Sequence, residues 1–153
     1  MIPDMKLLDY TTDTGFLPQI KCRDLSEAVS SLVGALQAAG VVRDGEGLVQ
    51  EVLRREAADS TAIGEGLVLP HARFRDLDEV YLAAATLAEP MDLGAPDGRP
   101  VDVVIMLVGP RGDPRMMLRV LARLARLVKN GSFLADLRAA GDGAAMRRLF
   151  TTS

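Results

Sequence analysis

The chain has 153 residues, 48% of them hydrophobic and 25% charged, and a formal net charge of −3. This length and composition predict a single globular domain over residues 1–153, large enough to bury a core without a disulfide or a structural metal. No apolar run is long enough to span a bilayer, the first residues lack a signal-peptide pattern, and one cysteine cannot form an internal disulfide, so we expect a cytoplasmic protein with no membrane insertion.

The first part of the chain predicts one strand and two helices. Residues 16–22 have the apolar character of a strand. Asp24 is a favourable N-cap for the helix that follows, Glu27 completes a capping-box pattern, and Gly40 is typical of the residue just beyond a helix. A second helix is predicted over residues 44–57, where apolar residues recur at helical spacing.

Strands and helices continue to alternate along the rest of the chain. A loop with two glycines is predicted at residues 60–66, and a turn region at residues 90–100. The predicted strands are residues 67–69, 80–88 and 101–108. The predicted helices are residues 114–129, 132–140 and 143–150. This alternation indicates an α/β fold with helices on both sides of a sheet.

His71 is the only histidine, and its setting suits nucleophilic chemistry. Pro70 fixes its own φ and biases Leu69 toward extended backbone, so rigid chain holds the ring. Imidazole is largely neutral at cellular pH, and a neutral ring nitrogen can accept a phosphoryl group in a covalent intermediate. These residues nominate His71 as a catalytic nucleophile. A turn histidine with a satisfied hydrogen bond remains the alternative at this point.

Four residues suit the binding of a phosphoryl group. Three of them are close to His71 in the sequence, and the fourth, Arg55, lies in the predicted helix before it. Gly64 and Gly66 permit close backbone approach of a ligand or partner. Arg55 and Arg73 carry forked guanidinium groups that match phosphate oxygens. Phosphoryl transfer passes through a charge-spread transition state, so a small site that positions the group and neutralises its charge is sufficient.

Other chemistries have little support in this sequence. One cysteine and one histidine cannot build a Cys/His zinc site, and we predict no metal and no cofactor. Cys22 as a nucleophile with His71 as its base has no supporting motif. The net negative charge and the absence of Trp disfavour nucleic-acid binding, although arginines cluster within residues 111–126.

The segment around His71 resembles the active-site signature of the type-2 enzyme IIA domains of the bacterial phosphoenolpyruvate:sugar phosphotransferase system. This is the mannitol, fructose and nitrogen-regulatory family. Its signature is roughly Arg-Glu followed by Ser-Thr-Gly-Ile-Gly-x-Gly-Ile-Ala-Ile-Pro-His. The matching residues are Arg55-Glu56, Ser60-Thr61, Ile63-Gly64, Gly66 and Pro70-His71. The similarity covers nearly the whole chain, because the helix at Asp24, the strand over 101–108 and residues 118–128 follow the family's layout.

The resemblance implies a single-domain α/β fold in which a mixed β-sheet is sandwiched by helices on both faces. It implies that HPr or a nitrogen-branch paralogue phosphorylates His71, at Nε2 as in the family, and that Arg55 helps to hold the phosphoryl group. The phosphoryl group then passes to an enzyme IIB domain, or a regulatory target senses the phosphorylation state. The further phosphoryl-binding residues predicted for this segment are Thr61, Gly64, Gly66 and Arg73.

Two positions depart from the family pattern. Ala62 replaces the usual glycine and makes the loop less permissive. Met117 stands where many members carry a second histidine, and a thioether cannot donate a hydrogen bond to phosphate or to His71. One hypothesis is that Arg73 or Arg115 compensates. The alternative function is a regulatory protein-binding module that keeps the fold and transfers no phosphoryl group.

Three features of the sequence each keep two interpretations. The arginines of residues 111–126 form either a docking surface for an acidic partner or a solvated helix face. Met116 and Met117 belong either to a flexible docking surface or to the core. Asp102 lies either at the end of the sheet or inside it, as a buried acid with a partner.

Overall fold

The computed structural model describes residues 6–112 and 114–151; part of the stretch judged to lack a signal-peptide pattern, residues 1–5, lies outside it. A 3₁₀ turn (Leu7–Tyr10) is followed by β1 (Phe16–Ile20), α1 (Leu25–Ala38) and α2 (Gly45–Ala58). The next strands are β2 (Ala62–Gly64), β3 (Leu67–Val68), β4 (His71–Arg73), β5 (Tyr81–Met91) and β6 (Val101–Gly109). The last elements are α3 (Pro114–Lys129), α4 (Phe133–Ala139), α5 (Gly143–Arg148) and a 3₁₀ turn (Leu149–Thr151).

The six strands form one mixed sheet, in which β6 is the central element. Strands follow the order β1-β5-β6-β3-β2, and β4 also pairs with β6. β1 is parallel to β5, and β3 and β4 are parallel to β6. The β5–β6 and β2–β3 pairs are antiparallel. The mixed sheet implied by the family resemblance is therefore confirmed.

The apolar run of β6 has a helical layer on each of its faces. Val104, Met106 and Val108 pack in the cluster that holds the buried residues of α1 and α2. Val103, Ile105 and Leu107 pack in the cluster that holds those of α3, α4 and α5. Side chains alternate between the two faces of a strand, so a strand covered on both sides must be apolar throughout. The predicted α/β fold with helices on both faces is confirmed.

Local signals in the sequence set the ends of the first two helices. The Asp24 carboxylate accepts the amide of Glu27 at 2.9 Å, as an N-cap does. The Glu27 carboxylate accepts the amide of Arg23 rather than that of Asp24, so the predicted capping box is shifted by one residue. Gly40, at φ 79°, follows α1. Asp44 caps α2 through the amide of Gly47.

Strand boundaries depart from the prediction where prolines interrupt the pattern. The strand predicted to reach Cys22 ends at Ile20, after a register shift at which Gln19 has a φ of 51°. β5 continues through Pro90 instead of turning there. Its pairing with β6 shifts register between Thr86 and Met91, so the missing amide of Pro90 breaks no regular ladder.

The segment predicted as a loop and one strand contains two short strands, and a third follows it. Residues 60–66 include β2, and the strand predicted at 67–69 is β3, two residues long. His71 itself begins β4, which the sequence did not predict. At the C-terminal end, the helix predicted over 143–150 stops at Arg148 and tightens into a 3₁₀ turn. Within the described ranges, no helix has the length and apolar character needed to cross a bilayer.

Candidate functional site

Backbone hydrogen bonds on both sides hold His71 against the sheet. His71 lies opposite Leu107 in the parallel pairing of β4 with β6. Just before it, the carbonyl of Pro70 accepts the amide of Leu107 at 3.0 Å, and just after β4 the amide of Phe74 donates to the carbonyl of Gly109 at 2.8 Å. The half-buried His71 side chain is therefore presented by a rigid strand, as the preceding proline predicted.

A hydrogen bond to the backbone assigns the tautomer of the neutral His71 ring. Nδ1 lies 2.8 Å from the carbonyl oxygen of Leu69. A carbonyl oxygen can only accept, so Nδ1 carries the proton, and Nε2 keeps its lone pair. The atom left free to act as a nucleophile is Nε2.

The β2–β3 hairpin brings Thr61 beside His71. The amide of Leu69 donates to the carbonyl of Thr61 at 3.3 Å, which sets Thr61 alongside the segment that leads into His71. Glu56 of α2 accepts the amide of Thr61 at 2.7 Å and its hydroxyl at 2.6 Å. Arg55, Thr61 and His71 then line a small cavity of about 160 Å³. Glu56 was not predicted as a site residue, although it belongs to the Arg-Glu pair of the signature.

A larger cavity of about 490 Å³ opens on the other side of His71. Its basic lining residues are Arg54, Arg55, Arg73 and Arg111, and its apolar lining includes Met117, Leu118 and Leu121. The Arg73 guanidinium donates to the carbonyl of Arg111 at 3.3 Å, which joins β4 to the loop after β6. The structure thus brings together His71, Arg55, Thr61 and Arg73 of the predicted set.

One carboxylate balances part of the positive charge in this cavity. Glu51 pairs with Arg54 at 2.8 Å. The hydrogen bond from Arg54 lowers the pKa of Glu51, and the charges of Arg54, Arg111 and Arg55 lower it further, so Glu51 stays ionised near neutral pH. Among the described residues, the Arg55 guanidinium makes no hydrogen bond or ion pair and is available to a bound anion.

Gly64 and Gly66 lie in the β2–β3 turn and line neither cavity at His71. Both have positive φ, 104° and 79°. A Cβ at Gly66 would lie 2.6 Å from the Arg138 guanidinium and 2.7 Å from the Asp102 carboxylate. Side chains of the protein itself therefore approach the backbone at these glycines. The predicted contact of Gly64 and Gly66 with a phosphoryl group stays a prediction.

Met117 occupies a buried place in the wall of the larger cavity. It is 5% exposed and packs against Gly109, where any Cβ would lie 2.9 Å from its sulfur. Met116 is partly buried against the same core cluster and accepts a hydrogen bond from Tyr10. The core interpretation of both methionines is thus supported. Met117 also lines the cavity that contains His71.

The remaining candidates have structural surroundings. Asp102 is 31% exposed at its side chain and pairs with Arg138, with Nε 3.0 Å from both carboxylate oxygens. Cys22 lines a different cavity, with residues 21–25 and 89–93. His71 is not among the residues that line it, so nothing in the structure pairs the two as nucleophile and base. In the described part of the chain, no three His, Cys, Asp or Glu side chains are grouped to hold a metal.

A family model described as "Phosphoenolpyruvate-dependent sugar phosphotransferase system, EIIA 2" matches residues 11–153. The chain belongs to this family. The match takes in the whole segment from α2 to α3 that builds the two cavities at His71. The resemblance stated from the sequence is confirmed, and the chain is a type-2 enzyme IIA domain.

This enzyme IIA domain is similar in sequence to proteins of two kinds. It is 34% identical over 143 residues to a nitrogen regulatory protein of Bradyrhizobium diazoefficiens, a match that covers 93% of this chain and 92% of that protein. It is also 27% identical over 124 residues to the fructose-specific EIIABC component of Bacillus subtilis. That match covers 81% of this chain and 20% of the longer protein.

Solved structures share the fold of this enzyme IIA domain. The nitrogen regulatory protein IIA-Ntr of Neisseria meningitidis superposes with a TM-score of 0.86 at 21% identity, over 95% of this chain and 99% of that one. The mannitol enzyme IIA of Escherichia coli, solved in complex with phosphorylated mannitol enzyme IIB, superposes with a TM-score of 0.72 at 17% identity. That match covers 90% of this chain and 94% of that one.

Proposed function

We propose that this chain is a cytoplasmic phosphohistidine carrier that accepts a phosphoryl group on Nε2 of His71 from an HPr-like phosphocarrier. The proposal rests mainly on the hydrogen bond between Nδ1 of His71 and the Leu69 carbonyl. That bond leaves Nε2 as the nucleophile in a ring that lines both cavities together with Arg55. The membership of the chain in the enzyme IIA family supports the same chemistry.

The transfer step needs no proton to leave His71. The lone pair of Nε2 forms a bond to phosphorus while the bond between phosphorus and the donor's histidine nitrogen breaks, and the donor nitrogen keeps that electron pair. The His71 ring becomes positively charged as Nε2 gives up its pair. The Leu69 carbonyl, which accepts the Nδ1 proton, stabilises that charge.

Arginines supply the charge stabilisation in this mechanism. Arg55 lines both cavities and has no partner among the described side chains, so its forked donors are free to bind phosphoryl oxygens. Arg73, held near the β6–α3 loop by its bond to Arg111, contributes a second cation. The Thr61 hydroxyl donates to Glu56, so Thr61 contributes mainly by fixing the loop beside His71.

The phosphoryl group then passes to an enzyme IIB domain, or a regulatory target senses whether His71 is phosphorylated. The complex of the E. coli mannitol enzyme IIA with phosphorylated enzyme IIB supports the first route. The nitrogen regulatory protein of B. diazoefficiens, matched over 92% of its length, supports the second. No role in nucleic-acid binding is proposed.

A second function is favoured by Met117. This residue places an apolar, buried side chain in the cavity wall, where it can donate no hydrogen bond to a phosphoryl group or to His71. On this alternative, the chain is a regulatory protein-binding module with the enzyme IIA fold that does not relay phosphoryl groups.

Phosphorylation by the cognate donors distinguishes the two functions. The protein is incubated with phosphoenolpyruvate, enzyme I and the HPr-like carrier from the same genome, and its intact mass is measured. We expect an acid-labile gain of about 80 Da, one phosphoryl group. The gain should be absent from His71→Ala and about a hundred-fold slower to form in Arg55→Ala, because a cation that stabilises the transition state is lost.

The site of attachment provides the sharper test. NMR of the protein labelled with ¹⁵N-histidine should place the phosphorus on Nε2. A phosphorylated His71→Ala variant, or an Nδ1 adduct, would overturn the proposal. A folded wild-type protein that gains no mass with cognate donors would establish the regulatory module instead.

A further inference from the structure

The charges of α3 differ sharply from those of the whole chain. The helix carries five basic residues and no acidic one, although the chain as a whole has a net charge of −3. The basic residues are Arg115, Arg119, Arg123, Arg126 and Lys129. The spacings of four and three residues between the arginines place them along one face of the helix. Arg119 and Arg126 are exposed on this face.

An apolar side chain is exposed beside the arginine face. Leu118 is 63% exposed, and it lines the His71 cavity together with Leu121. The buried residues of α3 point to the sheet, so Leu118 lies between the core-facing side of the helix and the arginines. Arg54, Arg55, Arg73 and Arg111 continue the positive charge around the cavity. An apolar centre with a charged rim is the usual anatomy of a protein-docking surface.

We propose that the phosphoryl-donating protein docks on this arginine face, with an apolar patch against Leu118 and acidic side chains against Arg119 and its neighbours. The inference rests on the proposed function of His71 and names the chemistry of the partner. Complementary charge would steer the donor to the face, and contact with Leu118 would set the distance between the donor's phosphohistidine and Nε2 of His71.

Other occupants fit the face less well. A membrane would need an exposed apolar stripe, whereas apart from Leu118 the large apolar side chains of α3 are partly or fully buried. Single-stranded nucleic acid would need aromatic stacking platforms, and the chain has no Trp and few Tyr or Phe. A small phosphorylated metabolite would use the cavity and would not need Arg119, which does not line it.

The test compares a protein donor with a small one at the same histidine. Phosphoramidate transfers its phosphoryl group to Nε2 as its P–N bond breaks and ammonia leaves, and it needs no docking surface. With the carrier, Arg119→Glu should raise KM about five-fold and leave kcat within about two-fold. Leu118→Ser should raise KM by a similar factor, and Leu118→Met should restore it. With phosphoramidate, Arg119→Glu, which is outside the cavity lining, should match the wild type.

A matched control is available in another helix. Arg148 is exposed at the end of α5. Arg148→Glu changes the net charge by the same amount as Arg119→Glu, and it should leave KM within about two-fold of the wild-type value. Raising the salt concentration about ten-fold should slow the carrier reaction of the wild type and have a smaller effect on Arg119→Glu, because screening acts on the steering charges. Arg119→Glu should keep the fold, since residue 119 is exposed on the surface of α3.

The outcomes separate the docking proposal from the proposed function. If the carrier phosphorylates Arg119→Glu as well as it does Arg148→Glu, or if salt speeds the wild-type reaction, the acidic-partner proposal is wrong. If Leu118→Ser and Arg119→Glu are slowed equally by both donors, the variants have damaged the site and the docking proposal also fails. If neither donor labels His71, it is the phosphocarrier function that fails.

Discussion

The side chain of His71 is oriented by atoms close to it in the chain. Pro70 fixes the backbone just before it, and the Leu69 carbonyl accepts a hydrogen bond from Nδ1–H. The nitrogen that we propose as the nucleophile is therefore selected by a main-chain group, which mutation of a side chain cannot remove.

Cys22 gives a test at the residue scale, because its surroundings disfavour the reactive thiolate form. Burial raises the pKa of Cys22, and the carboxylates of Glu27 and Asp24 raise it further. A raised thiol pKa means less thiolate at any pH below that pKa, and the thiolate is the reactive form. The Cys22 cavity also lies far from His71. Met91, which lines that cavity, pairs with Val101 of β6, whereas His71 pairs with Leu107. Val101 and Leu107 are six positions apart along the strand, or roughly 20 Å.

We therefore expect the folded protein to react with an aromatic disulfide at pH 8 more slowly than the same protein in urea. The folded rate should rise about ten-fold for each pH unit until the pKa is passed. His71→Ala should leave this rate unchanged. A Cys22 thiol that reacts faster when folded, or that depends on His71, would revive the nucleophile–base pair.

At the scale of elements, Arg138 connects α4 to the β2–β3 hairpin, which leads to His71. It pairs with Asp102 of β6 at 3.0 Å and donates to the carbonyl of Glu65 in the β2–β3 turn. Asp97 accepts the amide of Glu65 from the other side. Both the carbonyl and the amide of Glu65 are thereby hydrogen-bonded, which fixes the turn at this residue, and β3 leads from the turn to Pro70 and His71.

Arg138→Ala should destabilise the protein by about 1–3 kcal/mol, because it leaves a partly buried carboxylate and a turn carbonyl without their donor. Urea unfolding measures the loss. Arg23→Ala is the control, since Arg23 makes a similar forked pair with Glu27 on an exposed surface. This control should leave the unfolding midpoint nearly unchanged. Equal effects of the two substitutions would contradict the role given to Arg138.

Most elements were predictable because their signals are local. Asp24, Asp44 and Gly40 mark helix ends through groups only a few residues away, and the apolar run of β6 is visible in the sequence. β2 and β4 were missed because strands of three residues have no periodicity of their own. Pairing with β3 and β6 stabilises them. The continuation of β5 past Pro90 depends on the register shift against β6, which no local pattern shows.

At the scale of the molecule, the C-terminal 3₁₀ turn packs in the core between the sheet and helices α3, α4 and α5. Phe150 is 1% exposed, and its ring centroid lies 5.4 Å from that of Phe16 in β1 and 5.2 Å from that of Phe133 in α4. Residues at opposite ends of the chain therefore meet in one aromatic cluster, next to the buried residues of α3. We infer that the last described turn contributes to the stability of the whole sheet.

Phe150→Ala should lower the free energy of unfolding by about 3–5 kcal/mol, the usual cost of emptying a buried aromatic position. Phe150→Leu should cost clearly less, because it keeps most of the apolar volume. Guanidinium unfolding followed by both circular dichroism and tyrosine fluorescence should show one shared transition. A loss below about 1 kcal/mol for Phe150→Ala would mean that the C-terminal turn is not part of the cooperative core.

The sequence by itself determined the helices and long strands, the two-sided burial of β6, and the family, and it nominated His71 as the acceptor that we propose. Those signals are periodic or lie within one short segment, so neighbouring residues are enough to read them. Only the tertiary structure decided which nitrogen of His71 is free, that Glu56 holds Thr61, and that the side chains of Arg138 and Asp102 approach Gly66. The last of these depends on groups far apart in the chain, such as Asp102 and Arg138, and the first two on side-chain geometry that spacing alone does not specify.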